Sequence, residues 1–304
     1  MDGYSDALDT SSMSGELLIK IMPNRMTYVS GDALDLTGIQ VWYVSAGGWN
    51  ADVTHLIDSV PKVGQPVTNK TIVIEYHNIY TYFDIDLIDV VPWSTGTTAE
   101  IVNFVDKMEG SLANYWACGQ ERTVTLKDGT TKQFVLVDST LQGIVGANER
   151  RLSFACAVKD SMGNRQHHNS NTNVGGWRDS DIRTWCNGEF MQKIPDDLLP
   201  IFKPFTWKQG EGGGSSSGLI ETTDTFAIPT NKQEFGAQNY SYADEAALYN
   251  QFEYYKNSAN RVRSQWLASP YSGNYYSFCC VDSGGSASDG NAYDSRAVVP
   301  FGCI

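Results

Sequence analysis

The sequence predicts two folds in tandem: an all-β sandwich over residues 16–91 and an α+β domain over residues 101–304. A flexible lead-in at 1–15 precedes them and a linker at 92–100 joins them. Three observations predict this. β-Branched and aromatic runs with two-residue alternation fill the first part. Helical spacing follows the linker, and scattered strands separated by long loops follow that. At 304 residues the chain is also long enough to bury two cores.

The strands of the first part are LLIKI, IQVWYV, KTIVIEY and YFDIDLIDVV, broken by Gly, Asn, Pro and Asp. Within TIVIEY, Ile72, Ile74 and Tyr76 share one face, and His77-Asn78 sits where a hairpin should turn. PWSTGTTAE reads as the linker. After it, Ile101, Phe104, Met108 and Leu112 follow helical spacing, with Thr97 or Thr98 as N-cap. RTVTLKDGTTKQFVLV reads as a hairpin around Asp128-Gly129. SDIRTW starts a second helix capped by Ser180, with Ile182, Trp185 and Cys186 on one face, and PDDLLPIF adds a short helical turn. KQGEGGGSSSG, at 208–218, is a flexible loop, and TFAIP resumes as strand.

Composition excludes several classes of function. The net charge of −13, without Lys and Arg clusters, argues against a nucleic-acid partner. No apolar run of about 18 residues is present, so no membrane insertion is expected. The N-terminal stretch lacks a basic start and an apolar centre, so no secretory signal peptide is expected either. The six cysteines, at 118, 156, 186, 279, 280 and 303, form no C-x-x-C pair and read as buried small hydrophobes. His167-His168 reads as part of a solvated loop, because a metal site needs three or four convergent ligands. The sequence implies no catalytic residue, no metal site and no cofactor. Calcium-dependent sugar binding would call on Asp282, Asp289, Asn291 and Asp294, and is not expected.

Two stretches carry resemblances. MTYVSGDALDLTGIQVWYVSAGGWNADVT, with Tyr28, Gly31-Asp32, Leu34-Asp35-Leu36 and Gly38, resembles bacterial immunoglobulin-like repeats, which implies a spacer or attachment module. NYWACGQERTVTLKDGTTKQFVLVDS, GGWRDSDIRTWCNGEF and SQWLASPYSGNYYSFCCVDSGGSASDGNAYDSRAVVPFGCI together resemble an uncharacterised domain family of Firmicutes and their phages. That resemblance implies a C-type-lectin-like fold. The matching pieces are Trp266, Ser269-Pro270, Phe278-Cys279-Cys280-Val281 and Val298-Val299-Pro300-Phe301. Ala297 stands where the family has Gly, and Phe301-Gly302 reverses the usual order.

Some domains of this kind are variable proteins of diversity-generating retroelements, which rewrite the 3′ end of the gene while mutating template adenines. Randomising the adenines of AAC or AAT codons never yields Lys, Glu, Gln, Met or Trp. Those five types number 51 among residues 1–270, a frequency that predicts about six in the last 34 residues. Residues 271–304 contain none.

The resemblance therefore implies a variable segment at about 268–304. Its composition of Tyr, Ser, Gly, Asn and Asp is also that of a paratope. Phe278, Val281, Ala287, Ala292, Val298 and Pro300 would be fixed packing positions. Tyr271, Ser272, Asn274, Tyr275, Tyr276, Cys280, Asp282, Ser286, Ser288, Asp289, Tyr293, Asp294 and Arg296 would face a partner, with Tyr275, Tyr276, Tyr293 and Arg296 as anchors. The apolar VVPFGCI fits a terminal strand docked into the core.

The expectation is a non-enzymatic binding protein whose partner is a host or neighbouring-cell surface protein or glycan. A tail-associated phage virion protein for host attachment comes first. A bacterial surface adhesin, or a lectin of fixed specificity, is the alternative. Attachment proteins are often trimeric, which would multiply weak contacts. A formylglycine-generating-type oxidase on the same fold would need a reactive cysteine pair, and no His or basic cluster in sequence activates Cys279-Cys280 or Cys303.

Overall fold

Alternation decides the first part of the chain. Ile72 and Ile74 are fully buried, Val73 between them is half-buried, Thr71 before them is exposed, and Tyr76 is half-buried. The structure, a computed structural model, describes residues 14–108, 111–146, 153–214, 218–237 and 240–304. It divides into two compact units. One ends at Val90 and takes in Lys107; the other comprises Val91–Asp106 and the chain from Gly110 to Ile304. Both are built mainly of β-strand, with short helices.

In the first unit Gly15–Ile21, Gln40–Ser45 and Asn50–Asp52 form one antiparallel sheet, and Asp58–Val60, Thr71–Tyr76 and Ile79–Asp84 form another. Thr27–Val29 pairs in parallel with Asp86–Ile88. Leu17, Tyr28, Leu36, Val41, Ile72, Ile74 and Phe83 belong to a single apolar cluster. The Tyr28 hydroxyl donates to the Asp35 carbonyl at 2.6 Å and accepts from the Asp35 amide at 3.2 Å, so the ring is buried with its polar end satisfied. His77 and Asn78 turn the hairpin with φ of 48° and 62°, the two left-handed positions that a two-residue turn requires. The first strand already includes Gly15, and the rest of the expected lead-in, up to residue 13, lies outside the described residues.

The stretch expected as a linker, 92–100, is packed into the second unit. Trp93 is fully buried with its ring 5.4 Å from Trp116, and Arg122 donates to the Trp93 carbonyl at 3.2 Å. A Trp this deep fixes the chain around it, which Pro, Ser, Thr and Gly in the same stretch do not reveal. The helix Thr98–Lys107 opens with a capping box: the Glu100 amide donates to the Thr97 hydroxyl at 3.3 Å, and the Thr97 amide donates to the Glu100 carboxylate at 2.8 Å.

A five-stranded antiparallel sheet organises the second unit, in the order Phe226–Ala227, Phe301–Cys303, Ala155–Val158, Thr131–Asp138, Glu121–Thr125. The tail of the sequence thus becomes an interior strand, flanked on both sides. Ser180 caps Asp181–Trp185 by accepting from the Arg183 amide, and the helix continues through a π-helical turn at Cys186–Phe190 to Lys193. Phe205–Gly210 and Leu219–Asp224 form a hairpin, so Lys208–Gly210 is strand where a loop was expected; of that loop, 215–217 lie outside the described residues. The remaining sheet joins Trp266–Pro270, Ser277–Val281 and Ala287–Asn291. Asn164–Gln166 pairs with Ser295–Ala297 beside it.

Candidate functional site

Within the C-terminal sheet, Ser277–Val281 is the central strand, and all five of its residues are buried. Leu267, Cys279 and Val281 pack with Phe235 on one face. On the other, Phe278 stacks against His167, with ring centroids 3.4 Å apart. Segments leading into and out of this sheet carry the sequence-predicted residues, and the strand direction sorts them into two ends.

At the end where the central strand begins, Tyr275, Tyr276 and Tyr293 are 64%, 36% and 45% exposed. The Tyr275 and Tyr276 rings meet edge-on at 5.4 Å. The Ala292 amide donates to the Tyr276 carbonyl at 2.8 Å, which sets Tyr293 beside that pair. Tyr271 is half-buried, its ring edge-on to exposed Tyr240 at 5.7 Å, and the Ser272 amide and hydroxyl both donate to the Tyr240 carbonyl.

Asn274 works inward. Its side-chain oxygen accepts from the Tyr276 and Ser277 amides at 2.9 and 2.8 Å and fixes the turn that presents the tyrosines. Asp294 does the same for the next turn, accepting from the Asn291 amide at 3.1 Å.

Asp282 and Ser286 lie at the opposite end, in the turn joining Ser277–Val281 to Ala287–Asn291. A five-residue strand separates them from the tyrosines by about 16 Å of rise. The Ser286 and Gly284 amides donate to the Asp282 carboxylate at 2.8 and 2.7 Å, and these bonds hold its pKa below the ordinary value. Ser288 and Asp289 sit half-buried on the strand between the two ends.

Two further expected contact residues face inward. Cys280 is fully buried, because it lies on the central strand opposite Trp266 and Ser288, under the face that Arg296 covers. Burial pushes its thiol up to about 11. Arg296, expected as an anchor, has its guanidinium 5.2 Å from the Trp266 ring centre and against Gly290, where an added Cβ would lie 2.7 Å from Nη2. The other buried thiols, at 156, 186, 279 and 303, are likewise shifted upward by burial. His167, expected in a solvated loop, is core: fully buried, Nε2 3.1 Å from the Leu267 carbonyl, and kept neutral by burial that lowers its pKa to about 3.

Residues outside the C-terminal segment complete the tyrosine end. The Asn173 amide donates to the Tyr275 carbonyl at 2.8 Å, which brings exposed Val174 alongside. The side chain of Asn173, 1% exposed, donates to the carbonyls of Tyr271, Asn274 and Ser277 at 3.1, 2.9 and 2.8 Å. Gly176 and Gly212 permit the close approach this needs. Both have positive φ, and added Cβ atoms would lie 2.1 Å from the Gly210 carbonyl oxygen and 1.7 Å from that of Asn173. The glycine pairs in NVGGW and GEGGG were the available signal for this junction.

Residues 138–304 match the family described as a domain of unknown function, DUF6273. No curated protein and no solved structure matches the chain.

Proposed function

For a chain that belongs to the DUF6273 family, a domain of unknown function, we propose a non-enzymatic ligand-binding role centred on the tyrosine end of the C-terminal sheet. The domain is read as C-type-lectin-like, and the unit before it as an immunoglobulin-like spacer. The partner is a protein or glycan on a host or neighbouring cell, and the setting is a phage virion protein for attachment. Residues from about 268 onward vary between copies through retroelement-mediated adenine mutagenesis.

One observation carries the reading. Tyr275 and Tyr276 expose large aromatic area edge to edge and Tyr293 exposes more at the same end of the sheet, while Phe278, Val281, Ala292 and Val298, interleaved with them in sequence, are fully buried. Exposed Tyr clusters give rigid, amphipathic contact area at low cost in side-chain entropy. The absence of Lys, Glu, Gln, Met and Trp after residue 270 supports adenine-templated variation. Upward-shifted, buried thiols support leaving the cysteines out of any chemistry.

Sequencing the DNA around the gene tests the variation. A near-copy of its 3′ end, differing only at template adenines and lying beside a reverse transcriptase, is the expected result. Absence of any such copy would leave a fixed-specificity binding domain. The face itself is tested on glycan and cell-surface panels. Changing Tyr275, Tyr276 and Tyr293 together to Ser should weaken any captured ligand by more than about tenfold. Unchanged capture would sink the assignment of the face.

A further inference from the structure

We infer that Asn173, which lies outside the variable segment, is the positioning residue of this face, an inference that rests on reading the face as the binding surface. It holds the loop by main-chain groups alone, so that the tyrosine side chains on the loop are free to change.

The geometry is specific. Both hydrogens of the Asn173 amide nitrogen are shared among the carbonyls of Tyr271, Asn274 and Ser277, and its amide oxygen accepts from Gly213 at 2.9 Å. Its main-chain amide donates to the Tyr275 carbonyl, and its carbonyl accepts from Gly176 at 3.0 Å. One buried residue therefore joins three chain segments: 173–176, 212–214 and 271–277. None of these bonds uses a side chain of the 271–277 loop. The bonds within the loop also avoid the tyrosine rings: Tyr271 donates its amide to Ser277, and Asn274 caps the amides of Tyr276 and Ser277. Tyr275 and Tyr276 could thus be exchanged for other residues with the backbone unmoved.

Hydrogen exchange of the full chain tests this without a ligand. Asn173→Ala should speed exchange at Gly213, Tyr271, Tyr276 and Ser277 by about tenfold or more, because Gly213 loses its acceptor and the loop, its carbonyls released, opens the bonds that Tyr271, Tyr276 and Ser277 make within it. Amides deeper in the five-stranded sheet, such as Ala157, should stay within about twofold of wild type. Replacing Tyr275, Tyr276 and Tyr293 with Ser should leave all of these amides within about twofold.

Asn173→Asp separates donor from acceptor. At pH 8 its carboxylate still accepts from Gly213 but cannot donate, so Gly213 stays protected while Tyr271 and Tyr276 loosen. Burial among the three carbonyls raises this carboxyl above the ordinary value of about 3.9, so at pH 5, against wild type at the same pH, it is protonated, donates one bond again, and protection at Tyr271 and Tyr276 partly recovers. A residue that merely fills space would show no such recovery. The inference is overturned by unchanged exchange in Asn173→Ala, by equal loosening in the tyrosine variant, or by a pH-independent Asn173→Asp pattern. A failed ligand panel would remove the binding reading and leave the exchange pattern intact, so the two failures are distinguishable.

Discussion

Asp224 gathers more donors than any other side chain named above. Its carboxylate accepts from Trp177 Nε1 at 2.9 Å, Trp207 Nε1 at 2.8 Å, Thr222 Oγ1 at 2.8 Å, Arg183 Nε at 2.7 Å and Asn187 Nδ2 at 3.1 Å. The residue is 3% exposed, so these bonds replace the water it gave up. Asn in its place keeps the shape but turns one oxygen into a donor facing donors. Asp224→Asn should therefore lower unfolding free energy by about 3 kcal/mol, read from denaturant melts. A loss below about 1 kcal/mol would mean that the two tryptophans and Arg183 find other acceptors. Little in ETTDTF announces this role, since an Asp near the end of a strand is commonly solvated. The same limit hid Asn173. Aromatic exposure in the tail was legible because composition alone separates Tyr-rich contact surface from core, whereas a buried polar hub depends on partners far away in sequence.

Elements were legible where a local rule decides them. The cap at Thr97 (one of the two candidates), the Ser180 cap, the His77-Asn78 turn and the Asp128-Gly129 hairpin all follow from side chains within four residues. Cys280 was misplaced because alternation assumes one wet face, and a central strand covered on both sides has none. The last strand shows the same dependence on neighbours. An added Cβ on Gly302 would lie 2.7 Å from the Phe202 ring and 2.8 Å from that of Phe226, so Gly is set there by aromatic packing across the sheet. Gly302→Ala should cost about 2 kcal/mol by overpacking. Gly188, in the π-helical turn, meets nothing within 4 Å, and Gly188→Ala should be neutral or stabilising by up to about 1 kcal/mol. Thermal melts of the pair settle the matter: equal shifts would refute the packing account of the last strand.

For the molecule as a whole, buried titratable groups set a pH dependence that net charge does not predict. Burial raises the Glu245 pKa to about 7, and Ser269 and Gly210, which donate to it, offset only part of that. Burial also raises Glu234 to about 8, with Arg261 nearby working in the opposite direction. Unfolded, both would ionise near the ordinary value of about 4.3. Between about pH 4.5 and 8 the folded state therefore holds protons that the unfolded state has released, and stability falls as pH rises. His167 acts with the opposite sign. Its pKa of about 3 when folded makes stability rise with pH between about 3 and 6.5, after which its contribution is constant. Two carboxyls outweigh one imidazole where the ranges overlap. The expected optimum lies near pH 4.5 to 5, with a decline of roughly 1 to 2 kcal/mol per pH unit toward neutrality. Glu245→Gln keeps a neutral group that can accept from Gly210, and should flatten the decline between about pH 5 and 7. Urea melts at unit pH steps compare the two proteins, and parallel curves from pH 5 to 8 would show that Glu245 does not hold its proton in the folded state.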